Sequence, residues 1–340
     1  MSTSPILIPL SRLSSDRYRQ HAQLRDYFCD KDAKAHEVEG QWLLTLCWSN
    51  DPLRYVDPHL DEGLAWWGSD IHYQDMAMAR KRRGRVMLSL NDTWTLESWS
   101  KWLSQQANHS GENVVVLHVD DHKDLASPRL FHQANGYLDP IDDQVVILDQ
   151  PDTVTGAILS GALGMGSFLT PFLHSFPKTE VRHLCQPPKC TDTVDSIIHY
   201  EWEADTLLEP SKQRPAIKLL QDGPGSGPGR YRFTNDLKAW LQGVSANDKD
   251  ILLHIDMDYF CNRYDGDSDA VEKPGALDLP LDQVMDRIDA VTAALREHDL
   301  IDRLVDITIA FSPGFFPAEF WEASCDRLLS GLGESPWHDR

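Results

Sequence analysis

Asp120, His122 and Asp124 occupy alternate positions directly after the apolar run Val114-Val115-Val116-Leu117. Carboxylates and imidazoles are metal ligands by type. In extended backbone, alternate residues project to the same side. Four apolar residues, three of them β-branched, read as a strand buried on both faces, as in a parallel sheet. The three polar side chains would then converge just past the strand's carboxyl end, where open α/β sheets place their sites. Far downstream, Ile251-Leu252-Leu253-His254-Ile255-Asp256-Met257-Asp258 repeats the design, a short apolar strand ending in two carboxylates at spacing two.

Together the stretches offer the carboxylates of Asp120, Asp124, Asp256 and Asp258 and the imidazole of His122. Gathered without counter-charges, such carboxylates repel and raise one another's pKa. A pair of divalent cations removes that conflict. Oxygen-rich ligation with one histidine favours a hard or borderline ion such as Mn²⁺. Two adjacent ions can share a bridging water that ionises near neutral pH and becomes a nucleophile.

Asp-x-His-x-Asp after one strand and Asp-x-Asp after a later one resemble the signature of the ureohydrolases, the arginase and agmatinase superfamily. The flanking text, Leu117-His118-Val119-Asp120-Asp121-His122-Lys123-Asp124-Leu125 and Ile255-Asp256-Met257-Asp258-Tyr259-Phe260, is similar to a divergent branch that includes the peptide arginases. With the later strand Asp306–Phe311 and Ser312-Pro313-Gly314, the resemblance extends over most of residues 40–320. It implies a three-layer αβα sandwich with a mainly parallel sheet, arginase-like, holding a binuclear Mn²⁺ centre. The implied activity is that of a metal-dependent C–N hydrolase acting on linear amidines. It would convert arginine in a ribosomally made precursor peptide to ornithine, a post-translational modification, and release urea. By the same resemblance, Asp124 and Asp256 would bridge the metals, and His59, at a strand-to-helix junction, would complete one metal's shell, with His72 as a second candidate. Glu62 could contact a guanidinium. Two departures stand out. The family's guanidinium-gripping glutamate on the last strand is replaced by Ala310, and its proton-shuttling histidine has only the distant His132 as a substitute. Both departures weaken free arginine as substrate and suit the peptide-modifying branch. A small-molecule ureohydrolase, or a related hydrolase of agmatine or an acylated amine, is the alternative. A non-catalytic binding protein on the same fold is a third reading.

The competing metal patterns fit less well. Dinuclear phosphoesterases and β-lactamases need His-x-His-x-Asp-His, and His118 to His122 has the wrong spacing. Related deacetylases keep one carboxylate at the later strand, whereas Asp256 and Asp258 supply two. Asp265-Gly266-Asp267-Ser268-Asp269 suggests a calcium loop but has Ala270 at its sixth position and Ala276 at its twelfth. It reads as a solvated acidic loop near the site entrance.

The elements around the motifs must position them. A chain of 340 residues, 41% hydrophobic and 25% charged, accommodates a large packed α/β domain. Residues 1–40 read as an N-terminal extension, partly helical, and 41–340 as a single catalytic domain with a flexible insertion near 207–230. Trp42–Trp48 reads as the first buried strand, Thr95–Ala107 and Leu281–His298 as amphipathic helices. The net charge of −21 argues against nucleic acid and suits a cationic, arginine-containing peptide. The dense basic run Arg80-Lys81-Arg82-Arg83 could hold an acidic leader peptide or a second subunit of a homo-oligomer. The six cysteines form no Cys-x-x-Cys pair. Neither a signal h-region nor a membrane span is evident, so a cytoplasmic protein with free thiols is expected.

Overall fold

The computed structural model describes residues 5–51, 54–68, 71–106, 114–221, 227–244, 250–266 and 278–338. The chain opens with a small antiparallel sheet of β1 (Ile6–Pro9), β2 (Lys31–Val38) and β3 (Gln41–Trp48), in the order β1-β3-β2. Helix α1 (Arg17–Phe28) lies between β1 and β2, and its N-cap Asp16 accepts the Arg19 amide. Glu39 and Gly40 both take positive φ in the turn between β2 and β3, the geometry a two-residue hairpin requires. The boundary expected after residue 40 therefore falls inside a hairpin. The N-terminal segment is paired along the whole of β3 rather than appended to it. Nor is β3 a buried strand of the main sheet, since Leu44 is its one buried residue.

Helix α2 (Leu60–Trp67), β4 (Arg80–Arg83), β5 (Val86–Ser89), α3 (Trp94–Ser104) and β6 (Val114–Val119) follow. Next come the hairpins of β7 (Phe131–Gln133), β8 (Gly136–Asp139) and β9 (Gln144–Val146), then α4 (Pro151–Ser160) and α5 (Leu169–Ser175). The remaining strands are β10 (Glu180–Leu184), β11 (Val194–Ala204), β12 (Gln213–Gln221), β13 (Arg230–Thr234), β14 (Asp250–Asp256) and β15 (Leu304–Ala310). Between and after them lie α6 (Leu237–Leu241), α7 (Leu281–Glu297) and α8 (Trp321–Gly331). No helix among the described residues is long and apolar enough to cross a membrane.

The central sheet runs β12-β11-β13-β10-β6-β14-β15-β5-β4. The six strands from β13 to β5 are mutually parallel. Antiparallel strands finish both ends. Val115, Leu117 and Val119 of β6 join a core built with α2, α7 and α8, whereas Val114 and Val116 join one built with α3, α4 and α5. Helices therefore cover both faces of a mostly parallel sheet, as an α/β sandwich requires.

One expectation needs correction. The supposedly flexible insertion near 207–230 contains β12, paired over its full length with β11. Its mixed composition and Pro215 hid the strand. Proline is tolerated there because β12 lies at the sheet's edge.

The topology places the site. From β6 the chain continues to β10 on one side, and from β14 it continues to β15 on the other. The crevice between β6 and β14 is a topological switch point, the place where such sheets bind ligands. Both carboxylate motifs end there.

Candidate metal centre

Strand parity sets the geometry. Val116, His118 and Asp120 share one face of β6, and Leu252, His254 and Asp256 share the same face of β14. His118 sits in register with His254 on one side and His183 of β10 on the other. A row of three buried imidazoles thus underlies the carboxylates. Each has defined partners. His183 Nε2 lies 2.9 Å from the Asp120 carbonyl, and its Nδ1 lies 2.7 Å from the Tyr231 hydroxyl. His254 Nδ1 meets the hydroxyls of Thr95 and Thr308 at 2.9 and 3.2 Å. Burial lowers the pKa of all three, that of His254 to about 3, so the row is neutral.

Above this row, two overlapping groups of ligand atoms converge. One comprises His118, Asp120, Asp124 and His254; the other comprises Asp120, His122 and Asp258. Asp120 belongs to both and turns one oxygen to each. Its Oδ2 lies 3.5 Å from His254 Nε2, and its Oδ1 lies 3.6 Å from His122 Nδ1. The resemblance had implied Asp124 and Asp256 as the bridging pair. Asp256 accepts the Ser312 hydroxyl at 2.5 Å and the Asp258 amide at 3.2 Å, and lines the cavity. Of the two buried imidazoles in the first group, His118 spends its Nε2 on the His122 carbonyl at 3.1 Å. His254 Nε2 has no hydrogen-bond partner and is the better donor to a cation.

The electrostatics fit a missing positive charge. Burial, then the charge of Asp258, raises Asp120 to about 7. Burial and Asp120 push Asp124 up, and burial and Asp258 push Asp256 up. Burial opposes a charged His122, yet the carboxylates of Asp258, Asp120 and Asp265 outweigh it and hold the imidazolium. Asp120 Oδ2 and Asp124 Oδ2 are buried without hydrogen-bond partners, while Asp258 Oδ2 lies 2.8 Å from His122 Nδ1. Buried polar atoms normally find partners, and cations would supply them here. Asp124 and Ser312 also adopt positive φ at 52° and 42°, strain that tends to collect at functional sites.

A further shell fixes these ligands. Asn262 Nδ2 reaches Asp121 and Asp265 at 2.7 and 2.9 Å, and Lys189 Nζ reaches the same two carboxylates at 2.9 Å. Asp265 and Gly266 are the described part of the acidic loop expected near the entrance, and hydrogen bonds from His122 and Lys189 hold the Asp265 pKa well down. Residues 267–277 lie outside the described residues.

The crevice opens into a cavity of about 980 Å³. Its walls include Asp92, His122, Asp124, Asp256 and Asp258 from the sheet and Arg25, Asp30 and Lys34 from the N-terminal module. Three expected site residues do not come to it. His59 is exposed at the start of α2 and pairs with the equally exposed Glu62 at 2.8 Å. Neither lines the cavity. His132 lies on β7, its ring 4.2 Å from that of Trp202. All three are surface residues answered locally. Asp92, His118 and His254 went unassigned in the sequence reading, although the two histidines stand two residues before each motif's first aspartate, on the same strand face.

No protein-family model matches the chain, and no curated protein matches it in sequence.

Proposed function

We propose that the protein is an arginase-like, two-metal hydrolase that converts arginine side chains of a peptide to ornithine with release of urea. The observation carrying this reading is the pair of ligand groups sharing Asp120, set at the ends of adjacent parallel strands and opening into one cavity. Asp120, Asp124 and His254 would hold one ion, and Asp120, His122 and Asp258 the other. When bound, two Mn²⁺ ions would supply a hydrolytic nucleophile at neutral pH and offset the carboxylate charge. The chain's own residues do the rest. Ser312 orients the Asp256 carboxylate, His118 and His183 hold the backbone carbonyls of His122 and Asp120, and the aspartates of the wall attract a guanidinium. In the net reaction water adds at the guanidinium carbon, the bond to the chain nitrogen breaks, and that nitrogen leaves as the ornithine amine. The cavity sits at the upper end of the usual range for small-molecule pockets, roughly 300–1,000 Å³, which leaves room for residues flanking an arginine.

The test is mass spectrometry of an arginine-containing peptide after incubation with the Mn²⁺-loaded protein, with Asp256→Ala as control. Each arginine should lose the mass of one cyanamide unit, and the control should abolish the loss. Urea from agmatine or free arginine without any change in peptides would replace the peptide reading with the small-molecule one. Neither product from fully metallated protein would sink guanidinium hydrolysis.

A further inference from the structure

The cavity extends from the metal centre to the N-terminal module, and there the start of β2 borders it. Residues 30–34 line it without a break. A strand that borders a cavity at successive positions shows it an edge, because a face offers only every second side chain. β2 has such an edge. It pairs with β3 on one side, and among the described residues no strand pairs with it on the other.

The register says which backbone groups stand free. Glu39 and Gly40 close a two-residue turn, so Val38 and Gln41 form a hydrogen-bonded pair. Such pairs alternate along an antiparallel ladder, which gives His36 and Lys34 to β3 as well. The Thr45 hydroxyl accordingly donates to the Lys34 carbonyl at 3.5 Å. Ala33, Ala35 and Glu37 therefore turn their N–H and C=O away from β3. Ala33 and Ala35 pack their methyls against the core, so what Ala33 shows the cavity is backbone. The edge also starts close to the metal ligands. Asp30, just before β2, accepts the Met165 amide at 2.8 Å. The next residue, Gly166, accepts the Ala126 amide at 3.0 Å, two residues past Asp124.

We propose that β2 is the docking strand of the substrate: an extended peptide adds to its free edge, hydrogen-bonds Ala33, Ala35 and Glu37, and so runs into the cavity. A strand edge recognises peptide backbone through its main-chain groups. The edge thus calls for a peptide on its own account, whereas conversion of an arginine in that peptide rests on the reading above. Arg25 and Lys34 are exposed, line the cavity, and form no ion pair among the described residues. They favour an acidic residue in the docked strand, as opposite charges do across paired strands.

The test is amide hydrogen exchange, resolved to single residues, on the Mn²⁺-loaded full chain. The probe is an acetylated peptide of about six residues, with valine and threonine around one arginine and one glutamate. With peptide in excess, the Ala33, Ala35 and Glu37 amides should exchange about five-fold or more slowly, the scale of one amide hydrogen bond. The Lys34 and His36 amides should not change. N-methylating the peptide's amides one at a time should weaken binding only at every second position. Ala33→Pro removes one outward N–H where an edge strand tolerates proline. It should weaken binding by a similar factor with unchanged manganese content, and the wild-type measurements decide if that variant does not fold. No protection along β2, or equal effects of all the N-methyl groups, would overturn the inference. Loss of the cyanamide mass without such protection would leave arginine hydrolysis standing with the peptide docked elsewhere. Protection without that loss would keep β2 as the docking strand and sink the hydrolysis.

Discussion

Two regions of this molecule concentrate charge of opposite sign, and they treat it differently. Along β4, each of the four basic side chains is answered by the protein. Arg80 stacks on Trp94 at 3.5 Å, Lys81 binds the Trp67 carbonyl, Arg82 pairs with buried Asp306 at 2.7 Å, and Arg83 binds the Pro336 carbonyl at 2.8 Å. These cations brace an edge strand. In the β6–β14 crevice the aspartates are more deeply buried, and one oxygen each of Asp120 and Asp124 has no hydrogen-bond partner. Charge density alone does not distinguish the regions. Whether each buried charge is already satisfied does, and the unsatisfied set marks the place for a ligand.

The sharpest way to break this contrast is Asp120→Asn. Asp120 turns an oxygen towards both ligand groups, so the substitution should lower manganese affinity and turnover by about a hundred-fold or more, beyond the usual cost of disturbing a residue behind a ligand. In metal-free protein the same change should cost little, because the repulsion from Asp258 that it relieves offsets the attraction to His122 that it gives up. Melting temperatures with and without Mn²⁺ check both halves. Wild-type protein should gain stability from the metal by mass action, and Asp120→Asn should gain little. A variant that destabilised metal-free protein while still binding two ions would mean the crevice is structural.

Arg82→Ala examines the other region. It strips the cation from Asp306, which is fully buried and otherwise held by the Ser98 hydroxyl. Leaving a buried carboxylate without its partner costs about 3 kcal/mol. Chemical denaturation should show that loss, while manganese content stays unchanged. If Arg82→Ala instead impaired peptide binding without loss of stability, β4 would be a recognition surface after all.

The two regions were also unequally legible in the sequence. Asp120, His122, Asp124, Asp256 and Asp258 could be read because a strand's period of two is short-range and survives without tertiary information. Their convergence then needed only that β6 and β14 be neighbours, which parallel α/β architecture supplies. Asp92 was not legible, because Asn91-Asp92-Thr93 reads as an ordinary start to a helix. Its partner is the amide of Gly166, 74 residues later. His59 failed for the converse reason. A histidine before a helix looked like a ligand, but Glu62 one turn on satisfies it at the surface. Strands β11 and β12 escaped notice because edge pairing tolerates polar residues and proline.

A third kind of carboxylate sharpens the comparison with the smallest effect. Asp139, at the end of β8, is fully buried and forms no ion pair among the described residues. Its Oδ1 accepts the Ile141 amide at 2.8 Å, whereas its Oδ2 has no hydrogen-bond partner. It stands outside both ligand groups and the cavity, so its unmet oxygen should be a cost of folding rather than a site. Burial raises it to about 6, with the Ser160 hydroxyl and the Ile141 and Asp142 amides pulling the other way. An acid with a raised folded-state pKa holds its proton more tightly when folded. Its stabilising protonation is therefore complete below the unfolded value and is lost as pH rises through about 6. Asp139→Asn keeps an acceptor for the Ile141 amide and cannot ionise. It should match wild type near pH 4 and exceed it by about 2–3 kcal/mol at pH 8, with unchanged manganese content. A difference that shrank with rising pH would show that Asp139 is stabilised as an anion, and an unmet buried oxygen would then no longer separate a cost from a site.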